Sequence, residues 1–504
     1  PWRHTMRNLV FIGDRVPAAI PPFASSALTQ WVVPEGQDLH FESVPSANFH
    51  AGPLSSGLEA TSTQIKAMAE GGFVQISLCA NPLGEALQVS LGQESIHIDL
   101  ERSLREERAV PCDVSAIEAR ERIYPETISF LFTDSERAAY DQLAANNSKA
   151  DFTLNVRLGG RDPMTAVAHL RGKGSIGCER RNFTLNLDGN RPRFVMPKSG
   201  TDEFYLLSMC LDDRYIRQFT VLRAWKEIGL FQSEVRLIEL LLDGQSQAFY
   251  LLIEKVAEEV RNDSSGVLAV LRRGFAPPDT TIEVKYAAGL QDEVAKADYF
   301  EVQGALQGLS GESLINAANR YFDLDAYLTW LASNSLMLNG DYVDEVWLMQ
   351  SEQLRSDQSM GGHYQFGGWD AEDIFGACHY EGQHAYVDAY QLTYCAEAEW
   401  DHILLADPLV YARYVDILEA LLDGPLRPEA FDLLLRDTED QLAAIAQRPG
   451  AAAALIRLIN DVPGATDPDV AAAEIRAAGA AMSAAYLERN QLLRTRIAAY
   501  QDAN

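Results

Sequence analysis

Short runs in which apolar and polar residues alternate dominate the chain between about residue 125 and residue 255. A period of two is typical of β-strands that bury one face. DFTLNVRL and TAVAHLRG are joined by GGRDPM, and EVRLIELLL and QSQAFYLLIEKV are joined by Asp243 and Gly244. Asp-Gly pairs adopt the positive φ angles of tight hairpins, and another hairpin is expected around Asp188 and Gly189. The pattern predicts an antiparallel sheet of five or six strands.

Apolar residues at helical spacing interrupt this sheet once and take over after about residue 310. LDDRYIRQFTVLRAWKEIG opens with aspartates that can cap a helix and stops at Gly229. FDLDAYLTWLASNSLMLNG has Asp323 or Asp325 at its start and Gly340 at its end. The Ala- and Leu-rich residues from about 400 onward predict a helical bundle or the tail of a helical lobe. We therefore expect an α+β protein in which a sheet-rich lobe precedes a helical lobe.

The beginning of the chain has a different character. Residues 1–120 mix Pro-, Gly- and Ser-rich stretches with short strand-like runs such as GFVQISL and LQVSLGQESIHIDL, the second of which is typical of a hairpin. We interpret 1–120 as a β-rich accessory region, 121–400 as the main two-lobed body and 401–504 as a helical extension of its second lobe.

Acidic residues outnumber basic residues by 72 to 42, which gives a formal charge of -30 and a pI near 4.6. Such a surface repels nucleic acid and anionic membranes, so we expect no nucleic-acid partner. An anionic substrate such as a nucleotide could still bind where local basic residues or a metal ion outweigh the global charge. No apolar run approaches the roughly 18 to 20 residues that span a bilayer, so no membrane span is expected in this chain.

Six cysteines are present, and none of them forms a C-x-x-C motif. A zinc or thioredoxin-like site is therefore not indicated. The spacing permits three disulfides, for example Cys378 with Cys395 around a polar loop. Six free thiols would be equally ordinary in a reduced protein of this length.

The stretch HLRGKGSIGCERRNF contains three glycines at G-x-G-x-x-G spacing among several cations. Glycines let the backbone approach a phosphate, and the cations supply a countercharge. Because the stretch lies between two strands, it argues against a dinucleotide fold and is compatible with a kinase-type lid over a triphosphate. The alternative is a flexible hairpin loop with a solvated basic edge. The residues concerned are Gly172, Gly174, Gly177, Arg171, Lys173, Arg180 and Arg181.

Two acidic stretches lie further along the chain. In LMLNGDYVDEVWLMQ, Asp341 lies just beyond a predicted helix and Glu345 precedes a strand-like run. Phosphoryl transfer needs a carboxylate that accepts or orients the hydroxyl proton and oxygen ligands for Mg²⁺. The alternative for this stretch is a solvated acidic turn.

In FGGWDAEDIFG, Asp370 and Glu372 would share one side of an extended segment. Two adjacent carboxylates repel each other unless a cation lies between them, and oxygen ligands suit Mg²⁺ or Mn²⁺. Asp373 would point the other way and cap the next segment of the chain. The alternative is an acidic loop anchored by Trp369 and Phe375.

The order of these motifs resembles the spore coat protein H (CotH) kinase family, an atypical branch of the protein-kinase-like fold. The resemblance covers roughly residues 125 to 440. The matching positions are Arg171-Gly172 with Ser175, Arg180 to Phe183, Asp213 with Arg217 and Gly229, Phe249 to Glu254, Asn339 to Asp341, and Trp369 to Glu372 with Phe375-Gly376.

The resemblance implies a two-lobed fold with an antiparallel β-sheet N-lobe and a helical C-lobe, and ATP-dependent phosphorylation of protein hydroxyls. Asp341 would be catalytic, and Mg²⁺ or Mn²⁺ would be held by Asp370 with Glu345 and Glu372. It further implies a nucleotide and a protein substrate as partners, and a secreted or cell-envelope location. The nucleotide would be bound by Arg171, Gly172, Gly174, Ser175, Arg180, Arg181 and Glu254, the last at the end of the strand that leads to the adenine hinge.

Two positions depart from the family pattern. Arg180 and Arg181 replace the family's lysines, and a guanidinium clamps phosphate as a planar fork rather than as a point charge. Glu345 replaces an asparagine and adds negative charge, which could strengthen metal binding and repel a triphosphate. Two alternatives therefore remain open, namely transfer of another group such as AMP and a catalytically inactive kinase-like scaffold or surface-binding protein. A carboxylate-metal hydrolase would have the acids but lacks a histidine cluster.

Overall fold

The computed structural model describes the chain from residue 126 to residue 503, with gaps, and the backbone of the strands between residues 28 and 111. The described ranges are 126–187, 202–212, 215–231, 233, 235–255, 267–276, 279–288, 291–351, 363–380, 388–456 and 467–503.

The described strands of the first 111 residues form two sheets. One has the order β1-β6-β3, with β9 also paired to β6, and the other has the order β4-β5-β2-β7-β8. β7 and β8 pair antiparallel, as the hairpin pattern predicts. The bounds are β1 Leu28–Val33, β2 Asp38–Ser43, β3 Ala47–Ala51, β4 Leu58–Ala60, β5 Gln64–Ala67, β6 Gly72–Ala80, β7 Ala86–Leu91, β8 Glu94–Asp99 and β9 Val110–Pro111.

Seven strands then close into a barrel with the order β10-β11-β12-β13-β14-β16-β15. Alternating side chains point inward, so that Leu154, Val156 and Leu158 on β11 are buried while Arg157 is exposed. The bounds are β10 Thr127–Leu131, β11 Phe152–Leu158, β12 Met164–Arg171, β13 Asn182–Asn186, β14 Glu203–Leu207, β15 Val235–Leu242 and β16 Gln245–Glu254.

The barrel corrects the prediction of an antiparallel sheet of five or six strands. β15 pairs parallel with β10, so both edges of the sheet are covered. The predicted Asp243–Gly244 hairpin is confirmed, with φ angles of 48° and 81° at these two residues. The predicted turn at Asp188 and Gly189 lies outside the described residues, and β13 pairs with β14.

Two helices accompany the barrel, α1 (Asp134–Ala145) and α2 (Arg217–Glu227). α2 is the helix predicted within the sheet. Its N-cap is Ile216 and not the predicted aspartate, but the side chain of Asp212, four residues earlier, accepts a hydrogen bond from the N–H of Gln218 in the first turn at 2.9 Å. Trp225 of α2 is fully buried.

The second half of the body combines a four-stranded sheet with helices. The sheet has the order β18-β17-β19-β20, with β17 Val267–Ala276, β18 Asp279–Ala287, β19 Val346–Ser351 and β20 His363–Gly368. The helices are α3 Asp292–Leu306, α4 Glu312–Tyr321, α5 Leu324–Leu336, α6 Glu399–Leu405, α7 Pro408–Asp423, α8 Pro428–Ala446, α9 Ala451–Ile456 and α10 Pro468–Ala503.

α5 begins where the pattern predicts, because Asp323 caps it by accepting from the N–H of Ala326. One large apolar core, which includes Trp225, Trp330 and Trp400, joins α2, the sheet and the helices. The predicted α+β class is thereby confirmed. None of the helices in the described ranges is both long and apolar enough to cross a membrane.

Candidate functional site

A cavity of about 690 Å³ lies between the barrel and the four-stranded sheet. Its walls differ in charge, because cations reach it mainly from the barrel, β17 and β18, whereas carboxylates reach it mainly from the segments before β19 and after β20. The charged lining residues are Lys149, His169, Arg171, Lys173, Lys255, Arg272, Lys285, Glu283, Asp341, Asp344, Glu345, Asp370, Glu372 and Asp373.

The first acidic segment is a single 3₁₀ turn, Tyr342–Asp344, between α5 and β19. The buried guanidinium of Arg273 holds the turn by donating from Nε to the carbonyl of Val343 at 2.6 Å. Arg273 also donates to the hydroxyl of Tyr327 at 3.0 Å, and that hydroxyl donates to Asp401 at 2.5 Å. A buried ion network thus fixes the backbone that carries Asp341, Asp344 and Glu345.

Gly340 allows this segment to pack against the second acidic segment. Its N–H donates to the carbonyl of Asp373 at 3.1 Å, and its carbonyl accepts from the N–H of His379 at 2.9 Å. A Cβ at position 340 would overlap the carbonyl of Ala377. The backbone contact therefore brings Asp341 close to Asp373 and His379.

The second acidic segment differs from the predicted extended strand. Asp370 has a left-handed φ of 46°, and a 3₁₀ turn follows at Ala371–Asp373. The chain thus turns sharply, but Asp370 and Glu372 still line the same cavity, as does Asp373, which the alternating pattern had pointed away. Oδ1 of Asp370 accepts a hydrogen bond from Nε2 of Gln218 on α2 at 2.8 Å.

Burial and mutual repulsion disfavour the charged forms of these acids. Burial, and then the charge of Asp370, raise the pKa of Glu345 and of Glu372 well above the usual range. Burial, and then the charge of Asp344, raise the pKa of Asp341. A cation among these carboxylates would offset both effects.

The donors fit a hard divalent cation. Within the described residues, two groups of three ligand atoms lie within 4.8 Å of one another, namely Asp341, Asp344 and Glu345, and Asp341, Asp373 and His379. Glu345 is 6% exposed, and its Oε2 is buried without a hydrogen-bond partner in the described part of the chain. Carboxylate oxygens in this number suit Mg²⁺ or Mn²⁺. Neither group contains Asp370 or Glu372.

Residues 168–454, more than half of the chain, match the family described as CotH kinase protein. The chain belongs to the CotH kinase family. The matched segment begins in β12 and ends in α9, so it contains all the charged residues of the cavity except Lys149. The resemblance found in the motifs is confirmed, and a comparison with curated proteins found no match.

The glycine-rich loop of this CotH family member follows β12 and borders the cavity. Gly172 has a φ of 112°, and a Cβ there would overlap Oγ of Ser175. Ser175 accepts from Nδ2 of Asn182 at 3.0 Å, and Oδ1 of Asn182 accepts from the N–H of Ser208 at 2.6 Å. A disulfide between Cys178 and Cys210 ties the end of the loop to the chain that follows β14. The loop is therefore fastened at both ends.

Arg171, at the end of β12, is the predicted phosphate contact that the structure places in the cavity. Its guanidinium carbon lies 3.8 Å from the ring centre of Tyr205 and 5.8 Å from that of Trp369. Its Nη1 is buried without a hydrogen-bond partner in the described ranges. Gly172, Gly174 and Ser175 line the cavity beside it.

Arg180, Arg181 and Glu254 do not line the cavity, so their placement does not support the predicted nucleotide contacts. Arg180 is 2% exposed and donates to the carbonyls of Gln247 and Phe249 on β16. Arg181 donates to the carbonyl of Ala144 and to Asn147, at the carboxyl end of α1. Glu254 is buried at the end of β16. Both arginines are thus engaged by backbone carbonyls, the groups that attract a buried cation.

Sequence reasoning missed several residues of the site. Arg272 on β17 donates from Nη2 to Glu345 and from Nε to the carbonyl of Asp344 at 3.2 Å. Lys255, Gln218, Asp344 and Asp373 also line the cavity. Only Asp344 and Asp373 had a signal, since they belong to the acidic stretches.

The loop after Gly376 supports Asp341 from outside the lining of the cavity. The hydroxyl of Tyr380 lies 2.9 Å from Oδ1 of both Asp341 and Asp344, and Nδ1 of His379 lies 3.2 Å from Oδ1 of Asp341. The disulfide between Cys378 and Cys395, one of the pairings that the spacing permitted, fastens this loop. Cys79 and Cys112 lie among residues whose side chains are not described.

Proposed function

We propose that this CotH family member is a metal-dependent, ATP-using atypical kinase that transfers phosphate to protein hydroxyls. Family membership supports phosphotransferase chemistry. One observation carries the proposal, namely that a single cavity has Arg171 and a glycine-rich loop on one wall and a group of six carboxylates on the other. This division of charge suits a triphosphate together with its metal ion.

The proposed metal residues are Asp370, Glu345 and Glu372, to which the geometry adds Asp344 and Asp341, because ligand atoms of these two lie within 4.8 Å of one of Glu345. Their carboxylates would bind Mg²⁺ or Mn²⁺, which would supply neutralisation of charge on the phosphate oxygens. Oε2 of Glu345 is buried without a hydrogen-bond partner in the described part of the chain, which supports a metal ion at this position. Gln218 orients Asp370 through the hydrogen bond to Oδ1.

Asp341 is proposed to accept the proton of the substrate hydroxyl. Burial raises the pKa of this carboxyl, and a carboxylate whose pKa is nearer to neutrality is a better general base. The hydroxyl of Tyr380 and the ring of His379 both contact Oδ1, so Asp341 is held in one orientation.

In this proposal the barrel and the helical half correspond to the two lobes of an atypical kinase, with the cavity at their junction. Two disulfides beside the site are consistent with a secreted or envelope protein, because disulfides persist in oxidising compartments. The substrate is then a protein in the same compartment.

The test is transfer of labelled phosphate from ATP with Mn²⁺ to a peptide library containing serine, threonine and tyrosine. Asp370→Asn should lower transfer by about 10²-fold or more and weaken Mn²⁺ binding, whereas Asp341→Asn should lower transfer even when Mn²⁺ is saturating. Asp416→Asn, an exposed position on α7, is the matched control. Equal rates for Asp370→Asn and the wild type would refute the proposal.

Transfer of AMP is the second candidate. Glu345 supports it, because an extra carboxylate near the metal ion disfavours the triply charged end of the nucleotide. The same reaction separates the two candidates, since release of ADP indicates phosphate transfer and release of pyrophosphate indicates AMP transfer. A protein whose thermal midpoint does not move with millimolar Mg-ATP would be an inactive scaffold.

A further inference from the structure

We propose that Arg171 and Arg272 form a two-arginine clamp for the phosphates of the nucleotide, in place of the arginine pair at 180 and 181. This inference rests on the proposed nucleotide function and deepens it. The two residues come from different parts of the fold, Arg171 from the end of barrel strand β12 and Arg272 from strand β17 of the four-stranded sheet. Both line the same cavity.

Arg272 is fixed by two hydrogen bonds that leave part of its guanidinium available. Nε donates to the carbonyl of Asp344, and Nη2 donates to Oε1 of Glu345. Nη1 has no partner among the described residues. Because the side chain is only 17% exposed, few rotamers are open to it, and the free edge of the guanidinium is pre-oriented.

Arg171 is fixed in a different way. Its guanidinium stacks on Tyr205 and lies near Trp369, and its Nη1 is buried without a partner in the described ranges. A buried cationic donor without an acceptor is unfavourable unless a ligand provides one. An anion that enters the cavity would provide it.

The two cations also repel each other. The charge of Arg272 contributes to the lowered pKa of Arg171, after the larger effect of burial. The charges of Asp370 and Glu345 partly offset this repulsion at Arg171, and Glu345 also forms an ion pair with Arg272. Two arginines held near each other fit the planar, bidentate recognition of a phosphate chain.

The pair also explains how the fold accommodates a buried Glu345 beside Asp344 and Asp370. The ion pair with Arg272 offsets part of this negative charge. Oε1 of Glu345 accepts the hydrogen bond from Arg272, and Oε2 is available to coordinate the metal ion. Glu345 and Arg272 thus act as one unit.

The inference is tested by calorimetric binding of inorganic tripolyphosphate and of ATP, each with Mg²⁺, to the full chain. Arg171→Gln and Arg272→Gln should each weaken the binding of both ligands by about tenfold or more, the loss expected for one charged hydrogen bond. Arg157→Gln, an exposed arginine on β11, should bind as the wild type does. Binding of Mn²⁺ alone should not weaken in Arg272→Gln.

Each outcome decides a different point. If Arg272→Gln binds tripolyphosphate as tightly as the wild type, the clamp is refuted and the kinase proposal stands. If the wild type binds neither ligand, the kinase proposal and the clamp both fall. Should Arg272→Gln fail to fold, Arg272→Lys replaces it. That variant keeps the positive charge but loses the planar guanidinium. An affinity for tripolyphosphate within twofold of the wild type would therefore refute the clamp.

Discussion

Gly340 illustrates how a single missing side chain can set the position of a reactive group. Its N–H and carbonyl bind Asp373 and His379, and the carbonyl of Ala377 occupies the space where a Cβ would be. The obstructing atom belongs to the backbone and cannot rotate away. The next residue, Asp341, is therefore placed by main-chain packing.

Gly340→Ala should destabilise the protein by about 1 to 3 kcal/mol, the usual result of inserting a methyl group into a well-packed region. It should also abolish transfer, because Asp341 would be displaced. Gly304→Ala is the matched control. A Cβ there meets no atom within 4 Å, and position 304 is inside α3, so alanine should stabilise by about 0.5 to 1 kcal/mol. Thermal unfolding of both variants checks that Gly340→Ala lowers stability and that Gly304→Ala raises it.

Tyr380 provides a second prediction for single residues. Its hydroxyl has one proton and lies 2.9 Å from two carboxylates, so it reduces the repulsion between Asp341 and Asp344. Tyr380→Phe should lower kcat by about tenfold, equivalent to about 1.4 kcal/mol, and leave KM for ATP within about twofold. A parallel loss of nucleotide affinity would contradict this role. Tyr286→Phe on β18 serves as the control.

At the scale of elements, the two described disulfides flank the cavity and fasten different parts of it. Cys178–Cys210 holds the glycine-rich loop, and Cys378–Cys395 holds the loop that carries His379 and Tyr380. The first loop contacts the proposed nucleotide wall and the second contacts Asp341. Their removal should therefore have separable effects.

The double variant Cys178→Ala with Cys210→Ala should weaken ATP binding more than it lowers kcat. Cys378→Ala with Cys395→Ala should lower kcat at nearly unchanged ATP affinity. Each variant should also lose about 2 to 4 kcal/mol of stability, as expected for loops closed over 32 and 17 positions. Steady-state kinetics at a temperature where both variants remain folded separates the effects. Identical changes in the two variants would show that the disulfides act on stability alone.

The elements also show how far the sequence could predict this protein. The hairpin at Asp243 and Gly244 follows from its turn residues, α2 from its helical period, and α5 from period and capping, all of which are local properties. The barrel closure does not, because β10 and β15 pair across more than 100 residues. The four-stranded sheet of β17 to β20 joins segments on either side of three helices and was equally invisible.

The candidate site was predictable to a similar extent. The carboxylates were recognisable, since acids in an apolar context need a cation or a solvent-exposed position. Arg171, Arg180 and Arg181 looked alike in the sequence, yet one lines the cavity and two bind backbone carbonyls. Which way an arginine points depends on the barrel, and Arg272 became part of the site through tertiary structure alone.

At the scale of the whole molecule, negative charge opposes stability near neutral pH. The formal charge of -30 produces self-repulsion, which decreases as carboxylates take up protons. One partly buried acid also lowers stability when it is charged. Glu227, the last residue of α2, has an Oε2 that is buried without a partner in the described part of the chain.

Burial raises the pKa of Glu227 from about 4.5 to about 7, against the smaller opposing effects of Arg223 and Lys226. Between these two values the folded protein retains a proton that the unfolded chain has released. The free energy of unfolding therefore falls as the pH rises from about 4.5 to about 7. Above pH 7 the loss is complete, because Glu227 is then charged in the folded protein as well.

Glu227→Gln removes the titrating group but keeps the shape of the side chain. Its thermal midpoint should exceed that of the wild type by about 2 to 4 °C at pH 8, the shift that about 1 kcal/mol produces in a domain of 150 to 250 residues. At pH 4.5 the difference should vanish, because the wild-type carboxyl is then protonated in the folded state. Glu488→Gln, an exposed position on α10, should show only the smaller effect of global charge at both pH values. A gain for Glu227→Gln that is equal at pH 4.5 and pH 8 would mean that packing, and not ionisation, distinguishes the two side chains.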